Sequence, residues 1–287
     1  MGGRLIARAA LWLALPASLT GCASLMSSAV EGLAGDLSAA ILENPDVDMV
    51  RDGAPAFLLL IDGLLKSSPD NPVLLSQAAL LNSAYAGAFV TDGERARLLA
   101  AKGRALAERA LCVERQDSCG IAARPFEAFE QWTATLTKAD VPLAYGLATA
   151  WSAWMQANSD DFNAVADLGK VKLLMSRIAE LHESHDHGGP HLYLGVFETL
   201  VPPALGGRPE VGRFHFERAL ALAEGRHLLT QVMFAEQYAR LVFDRPLHDE
   251  LLNEVLAAEV DAPELTLLNA VAKRRAQSLL ETADAYF

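Results

Sequence analysis

Isoleucine occurs five times in 287 residues, aromatic side chains make up 7%, and no stretch alternates apolar and polar residues between turn dipeptides. Those scarcities argue against a sheet-rich fold, because strands draw on β-branched and aromatic residues in period two. Basic residues are few as well: 24 Lys and Arg stand against 36 Asp and Glu, a net charge of −12. Such a chain lacks the basic patch that nucleic acid or an anionic lipid surface requires. There is no G-x-S-x-G elbow and no glycine-rich loop after a strand, and His182-Glu183-Ser184-His185 is one residue short of the H-E-x-x-H zinc motif. The chain therefore reads as a non-enzyme that carries no cofactor.

Cysteine is the last scarcity, with three in the chain, and the position of the first is informative. Arg4 and Arg8 precede the apolar run Ala9 to Leu15, followed by Pro16, Ser18 and then Leu19-Thr20-Gly21-Cys22. That layout is a secretory signal ending in a lipobox, with residues 1–21 removed and Cys22 the site of lipid attachment. Acyl chains at ~0.8 kcal/mol per buried CH₂ hold a protein on a membrane durably once two or more are present. The alternative is an uncleaved transmembrane helix, but Pro16, Gly21 and five Ser or Thr residues interrupt the span. Ala23, where an inner-membrane lipoprotein usually carries Asp, directs the expectation to the periplasmic face of the outer membrane. The processed chain, Cys22 to Phe287, would keep 22 basic and 36 acidic residues, since only Arg4 and Arg8 are lost. Cys112 and Cys119 then remain in an oxidising compartment, where a disulfide is favoured over a zinc or redox pair because six intervening residues match neither motif.

The remainder reads as helix after helix. Ala and Leu dominate, and helical periodicity between Gly, Pro and Asx punctuation places helices at 28–43, 54–66, 72–89, 92–113, 124–137 and 140–157. Others fall at 161–183, 190–200, 208–223, 227–243, 246–258 and 264–284. Ser68-Pro69-Asp70-Asn71-Pro72 and Asn158-Ser159-Asp160-Asp161 supply stops and N-caps between them. The Gly- and Pro-rich stretches 184–190 and 201–209 are too short to be domain linkers, so residues 51–287 form one helical domain behind a lipid-anchored segment at 22–50.

Antiparallel pairs joined by short turns suggest an all-α array of about 11–12 helices, with tetratricopeptide-like repeats. Gly212, Phe216, Ala219, Leu220 and Ala223 form a small-and-large stripe, Ala235 and Tyr238 follow at repeat spacing, and Leu251 lies 35 residues after Phe216. An irregular bundle would show similar stripes. Trp132, Trp151, Trp154, Phe126 and Phe129 read as core, with an apolar ligand channel as the alternative. Lys273-Arg274-Arg275 reads as a solvated or ion-paired face, with docking as the alternative.

More distinctive is Gly188-Gly189-Pro190-His191, then Val201-Pro202-Pro203-Ala204-Leu205-Gly206-Gly207, then His215-Phe216-Glu217-Arg218-Ala219-Leu220, continuing to Lys273-Arg274-Arg275-Ala276. In that order, these motifs resemble the TRAP-transporter-associated lipoprotein family, the TatT component, over about residues 50–287. Arg208-Pro209-Glu210-Val211 departs from the family pattern without threatening the fold. The resemblance implies a tetratricopeptide-like array in the periplasm that docks the solute-binding protein of a tripartite, ATP-independent transporter, with homotrimeric assembly and relay of a small ligand as further implications. A scaffold or assembly lipoprotein of the envelope, with no transport role, is the alternative.

His182, His185, His187 and His191 invite a zinc reading, set against a polar inter-helix loop made pliant by Gly188 and Gly189. We expect no metal. The segment 188–207 is instead expected to border a binding cavity, with Gly188, Gly189, Pro202, Gly206 and Gly207 admitting close backbone approach and His191 and Tyr193 supplying polar contacts. Replacing Cys22 with Ser should leave an unprocessed precursor or release the protein into the soluble periplasm. Fractionation checks this: sedimentation of the variant with outer membranes after a high-salt wash would place the anchor elsewhere.

Overall fold

Helix starts are written into the chain as Asx residues followed by proline or an acid. Asn71 accepts the Leu74 N–H at 3.0 Å ahead of Pro72, and Asp92 accepts the Arg95 N–H at 2.8 Å. Asp244 does the same for Leu247 at 3.1 Å. Each bond satisfies an amide that has no partner inside the helix. A computed structural model describes residue 32 and residues 35–287. The expected signal peptide, Cys22 and the start of the helix expected at 28 lie outside the described residues.

Every regular element among the described residues is helical, with no strand. They are α1 (35–42), α2 (Val47–Ser67), α3 (Pro72–Phe89), α4 (Gly93–Glu114), α5 (Phe126–Ala134), α6 (Val141–Ala157) and α7 (Phe162–Ala166). There follow α8 (Leu168–His182), α9 (Gly189–Thr199), α10 (Pro209–Leu222), α11 (Leu228–Met233), α12 (Arg245–Ala257), α13 (Thr266–Glu281) and α14 (Ala283–Tyr286). The described residues are thus all-α, and their fourteen α-helices exceed the twelve expected because two expected helices are each broken in two.

The span 161–183 breaks at Asp167, whose Oδ2 accepts the Trp151 indole N–H at 3.0 Å and lies 3.5 Å from Arg104. The span 264–284 breaks at Thr282. Helix α2 begins seven residues before its expected start at 54, because Asp46 caps it through the Asp48 and Met49 N–H groups. Buried Val47 and Val50 hold that first turn down, so Pro55 is carried inside the helix rather than opening it. Helix α11 runs on into a π turn, Phe234–Ala239, where Phe234 stacks on Phe216 with ring centroids 5.2 Å apart.

Only residues 90–92 join α3 to α4, which makes the two antiparallel neighbours. Packing then advances stepwise: α6 lies on α3 and α4, α8 on α6, α9 on α8, and α10 on α9. One core forms around Phe129, Trp132, Trp151, Met175 and Phe197, and a second around Phe216, Val232, Phe234, Leu252 and Ala272. Finally α13 returns to α2, where Leu267 packs with Val47 and Val50 and Arg274 makes a two-bond ion pair with Asp48 at 3.0 and 2.8 Å. First and last parts of the described chain thereby touch. The bond between Cys112 and Cys119, with Cα atoms 4.6 Å apart, ties the end of α4 to the turn in which Ser118 accepts the Trp132 indole N–H at 3.2 Å. On a chain-entropy basis so short a loop contributes about 2.5 kcal/mol.

Candidate functional site

Helix α9 stands between the two cores, with Leu194 and Phe197 in the first and Leu192 in the second. Of its eleven residues nine are buried, so its face toward α10 has to be thin. A Cβ on Gly195 would sit 3.0 Å from the Phe216 ring, and one on Gly212 would lie 2.6 Å from Thr199 Cγ2. These glycines set the approach of α9 to α10.

The turn into α9 is made by three consecutive left-handed residues, Asp186 (φ +48°), His187 (φ +54°) and Gly188 (φ +84°). Asp186 and His187 hold a conformation that costs a non-glycine residue about 1–2 kcal/mol. Asp186 is held by the Tyr145 hydroxyl, which donates to its Oδ2 at 2.6 Å. Gly188 abuts Leu222 and Ala219, and a Cβ on Gly189 would lie 2.1 Å from the Tyr145 hydroxyl. Both glycines are thus sites of close approach. Burial, then the Asp186 charge, pushes the Tyr145 and Tyr193 hydroxyls well above the usual phenol range. Tyr193 meets Tyr145 edge-on at 6.2 Å and Phe197 at 6.1 Å.

The four expected histidines scatter. His182 and His185 rings lie 5.6 Å apart, with His185 edge-on to Tyr145, and His187 Nε2 is 3.8 Å from Glu264. His191 turns the other way: its Nδ1 lies 2.8 Å from Nδ1 of His215 on α10, one of the two donating the shared proton. Its Nε2 lies 3.6 Å from Glu183, whose carboxyl Arg218 grips and holds below the usual carboxylate range. Among the described residues no group of three or more His, Cys, Asp or Glu could hold a metal ion. His215 and Arg218 were missed as site residues, although one helical turn separates them and puts both on the face of α10 that meets His191 and Glu183.

At the other end of α9, Glu198 is 3% exposed and pairs with Lys172 at 2.7 Å and with Arg208, which also donates its backbone N–H to the Glu198 carbonyl at 2.9 Å. Burial pushes the carboxyl up, but the bonds from Arg208 and Lys172 outweigh it and hold the group below its ordinary value. Between Glu198 and Arg208 the chain makes a tight loop. A Cβ on Gly207 would meet the Val201 carbonyl at 1.7 Å, and Gly206 is left-handed at φ +93°. Leu200 (48% exposed), Val201 (37%), Pro202, Pro203 and Ala204 face solvent. The expected residues therefore fall into two groups: His191, Tyr193, Gly188 and Gly189 in the packed end of α9, and Pro202, Gly206 and Gly207 in the exposed loop. Surface depressions of about 250 and 340 Å³ are lined by residues outside the segment 188–207.

Burial lowers the pKa of both rings of the histidine pair, His191 and His215, that of His215 to about 4. Below the ordinary histidine value of 6.5 an unfolded chain takes up protons that these buried rings refuse, so stability present at neutral pH is lost as pH falls toward 4. Discounted for solvent screening, the effect is about 1 kcal/mol by pH 5. Denaturant unfolding at pH 7.5 and pH 5.0 checks this, with His215→Asn expected to flatten the difference; equal slopes in both proteins would show that the pair does not titrate on unfolding.

No helix among the described residues is long and apolar enough to cross a membrane. No curated protein matches the chain. The family model described as TRAP transporter T-component matches residues 43–287, nearly all of the helical array, including the α9 turn, the Glu198 loop and the α2–α13 contact. The chain belongs to the TRAP transporter T-component family.

Proposed function

We propose that this chain is a lipid-anchored T-component held through Cys22 at the periplasmic face of the outer membrane, and that it docks the solute-binding protein of its TRAP transporter. In this reading the helices are a worn tetratricopeptide-like array, the assembly is a homotrimer, and a small ligand passes to or from the docked protein. Family membership supports the transporter context, and the lipobox Leu19-Thr20-Gly21-Cys22 supports the anchor.

The observation that carries the docking reading is the exposed apolar loop Leu200 to Ala204, rooted at both ends by the buried Glu198–Arg208 pair and the Gly207 contact. Apolar side chains fixed in solvent by a rigid root lose little freedom on binding, which is what makes a loop an efficient contact. His191 is 8% exposed, so it fits the role of holding α9 in place better than that of touching a partner directly.

Val201→Asp should weaken binding of the transporter's solute-binding protein by about tenfold or more, equivalent to about 1.4 kcal/mol. Its melting temperature should stay near that of the parent, because Val201 already faces solvent. Biolayer interferometry with the two purified proteins decides it. Undiminished affinity would remove the loop from the interface, and absence of any binding by the parent would defeat the docking reading itself.

A further inference from the structure

A second exposed face carries features that neither the packing nor the proposed docking loop uses. After the π turn the chain ends its helix with Asp244 N–H donating to the Ala239 carbonyl at 2.8 Å and Phe243 N–H to the Arg240 carbonyl at 3.2 Å. This pair of bonds is the common helix ending whose left-handed position is normally glycine. Here it is Phe243, at φ +57°. An aromatic L residue is strained there, and burial does not compensate it, because Phe243 is 70% exposed.

The ring is held up by neighbours. Tyr286, itself 44% exposed, stacks on it at 6.0 Å, and Phe287 meets it edge-on at 6.3 Å. Arg240 lies over the Tyr286 ring at 4.6 Å and donates only to the Leu279 carbonyl and the Thr282 hydroxyl. Among the described residues no carboxylate pairs with Arg240, whereas nearby Arg245 is taken by Asp249 and Asp284. Two polar nitrogens in this region have no partner. Nε of Arg240 is one; the other is Nε2 of His248, a fully buried ring packed edge-on against Phe287 at 5.2 Å with its Nδ1 bonded to Asp249.

We infer that Phe243, Tyr286 and Arg240 form a docking face for a protein segment that carries a carboxylate beside an aromatic side chain. The aromatic group stacks on the Phe243 and Tyr286 rings, and the carboxylate meets the one guanidinium of this face left without an acid. An anionic lipid surface fits less well, since its spread of charge would also meet Asp284, 88% exposed at the edge of the patch, whereas a single carboxylate can address Arg240 alone. The strained phenylalanine is then explained as stability given up for contact.

The test uses the isotope-labelled full chain and a peptide, acetyl-Gly-Asp-Trp-Glu-Phe-Gly-amide, with a neutral counterpart in which Asn and Gln replace the acids. The expected result is saturable amide shifts confined to residues 239–248 and 279–287, with about tenfold weaker binding of the neutral peptide. Arg240→Gln should erase that preference, and Phe243→Gly should abolish the shifts while its melting temperature holds or rises, because glycine relieves the left-handed strain. Peptide binding unaffected by Phe243→Gly, equal affinity for both peptides, or no shifts at all would overturn the inference. So would a clear drop in melting temperature for Phe243→Gly, which would make the ring structural. Shifts produced instead by phosphatidylethanolamine–phosphatidylglycerol vesicles would overturn it in favour of a membrane contact.

Discussion

A helix buried on every side has to satisfy each of its polar groups inside the protein, and α9 is that helix. Its position between two cores lets the array turn from the α3–α8 half into the α10–α13 half. The sequence of α9 answers the burial with small or paired residues. Gly195, with Gly212 opposite it on α10, admits the neighbouring helix, Thr199 returns its hydroxyl to the Gly195 carbonyl at 2.9 Å, and His191 shares a proton with His215. Glu198 is the costliest group, since a buried carboxylate is tolerated only when cations and donors meet it. Lys172 from α8 and Arg208 from the far side of the loop do so. One ionic contact therefore ties three consecutive segments together and, as a by-product, roots the apolar loop at Leu200 to Ala204.

The turn at the other end of α9 shows the same economy in a different chemistry. Asp186 and His187 hold left-handed conformations because Tyr145 anchors Asp186 and because Gly188 and Gly189 let the turn press against α10 and α6. Closure of the array is a weaker, solvent-facing matter. The Asp48–Arg274 pair is half-exposed on both sides, so most of the hold comes from Val47, Val50 and Leu267 rather than from the charges. Lys273-Arg274-Arg275 thus resolves into bonded groups: Lys273 reaches the Leu256 carbonyl at 3.0 Å, Arg274 pairs with Asp48, and Arg275 with Glu236.

Much of the fold was legible because helices announce themselves locally. Asn71-Pro72 and Asp92 mark starts that the structure reproduces within a residue, and the scarcity of β-branched and aromatic residues excluded sheet. Where tertiary contacts overrode local rules, the reading failed: the helix expected to start at 54 begins at Val47, because Asp46 caps it and two buried valines hold its first turn, and the break at Asp167 depends on a tryptophan sixteen residues away. The ordered motifs from Gly188 to Leu220 were enough to point to the family. What they could not convey was partnership across the α9–α10 contact. His191 meets a histidine 24 residues on, and nothing in Glu198 taken alone says that it is buried. The glycine pairs were legible as special positions. Gly189 and Gly207 are special because another residue's oxygen occupies the place a Cβ would take, a reason visible only in three dimensions.

Central to this account is the claim that the buried Glu198 contact holds α9 and its loop in place. Denaturant unfolding of Glu198→Ala tests it most directly, because the substitution leaves Lys172 beside a vacated, buried position and unroots Arg208. A loss of about 1.5–3 kcal/mol relative to the parent is the predicted result, because the charged hydrogen bonds are lost while Lys172 and Arg208, both partly exposed, regain water. A loss of less than about 1 kcal/mol, the range of an exposed ion pair, would contradict it.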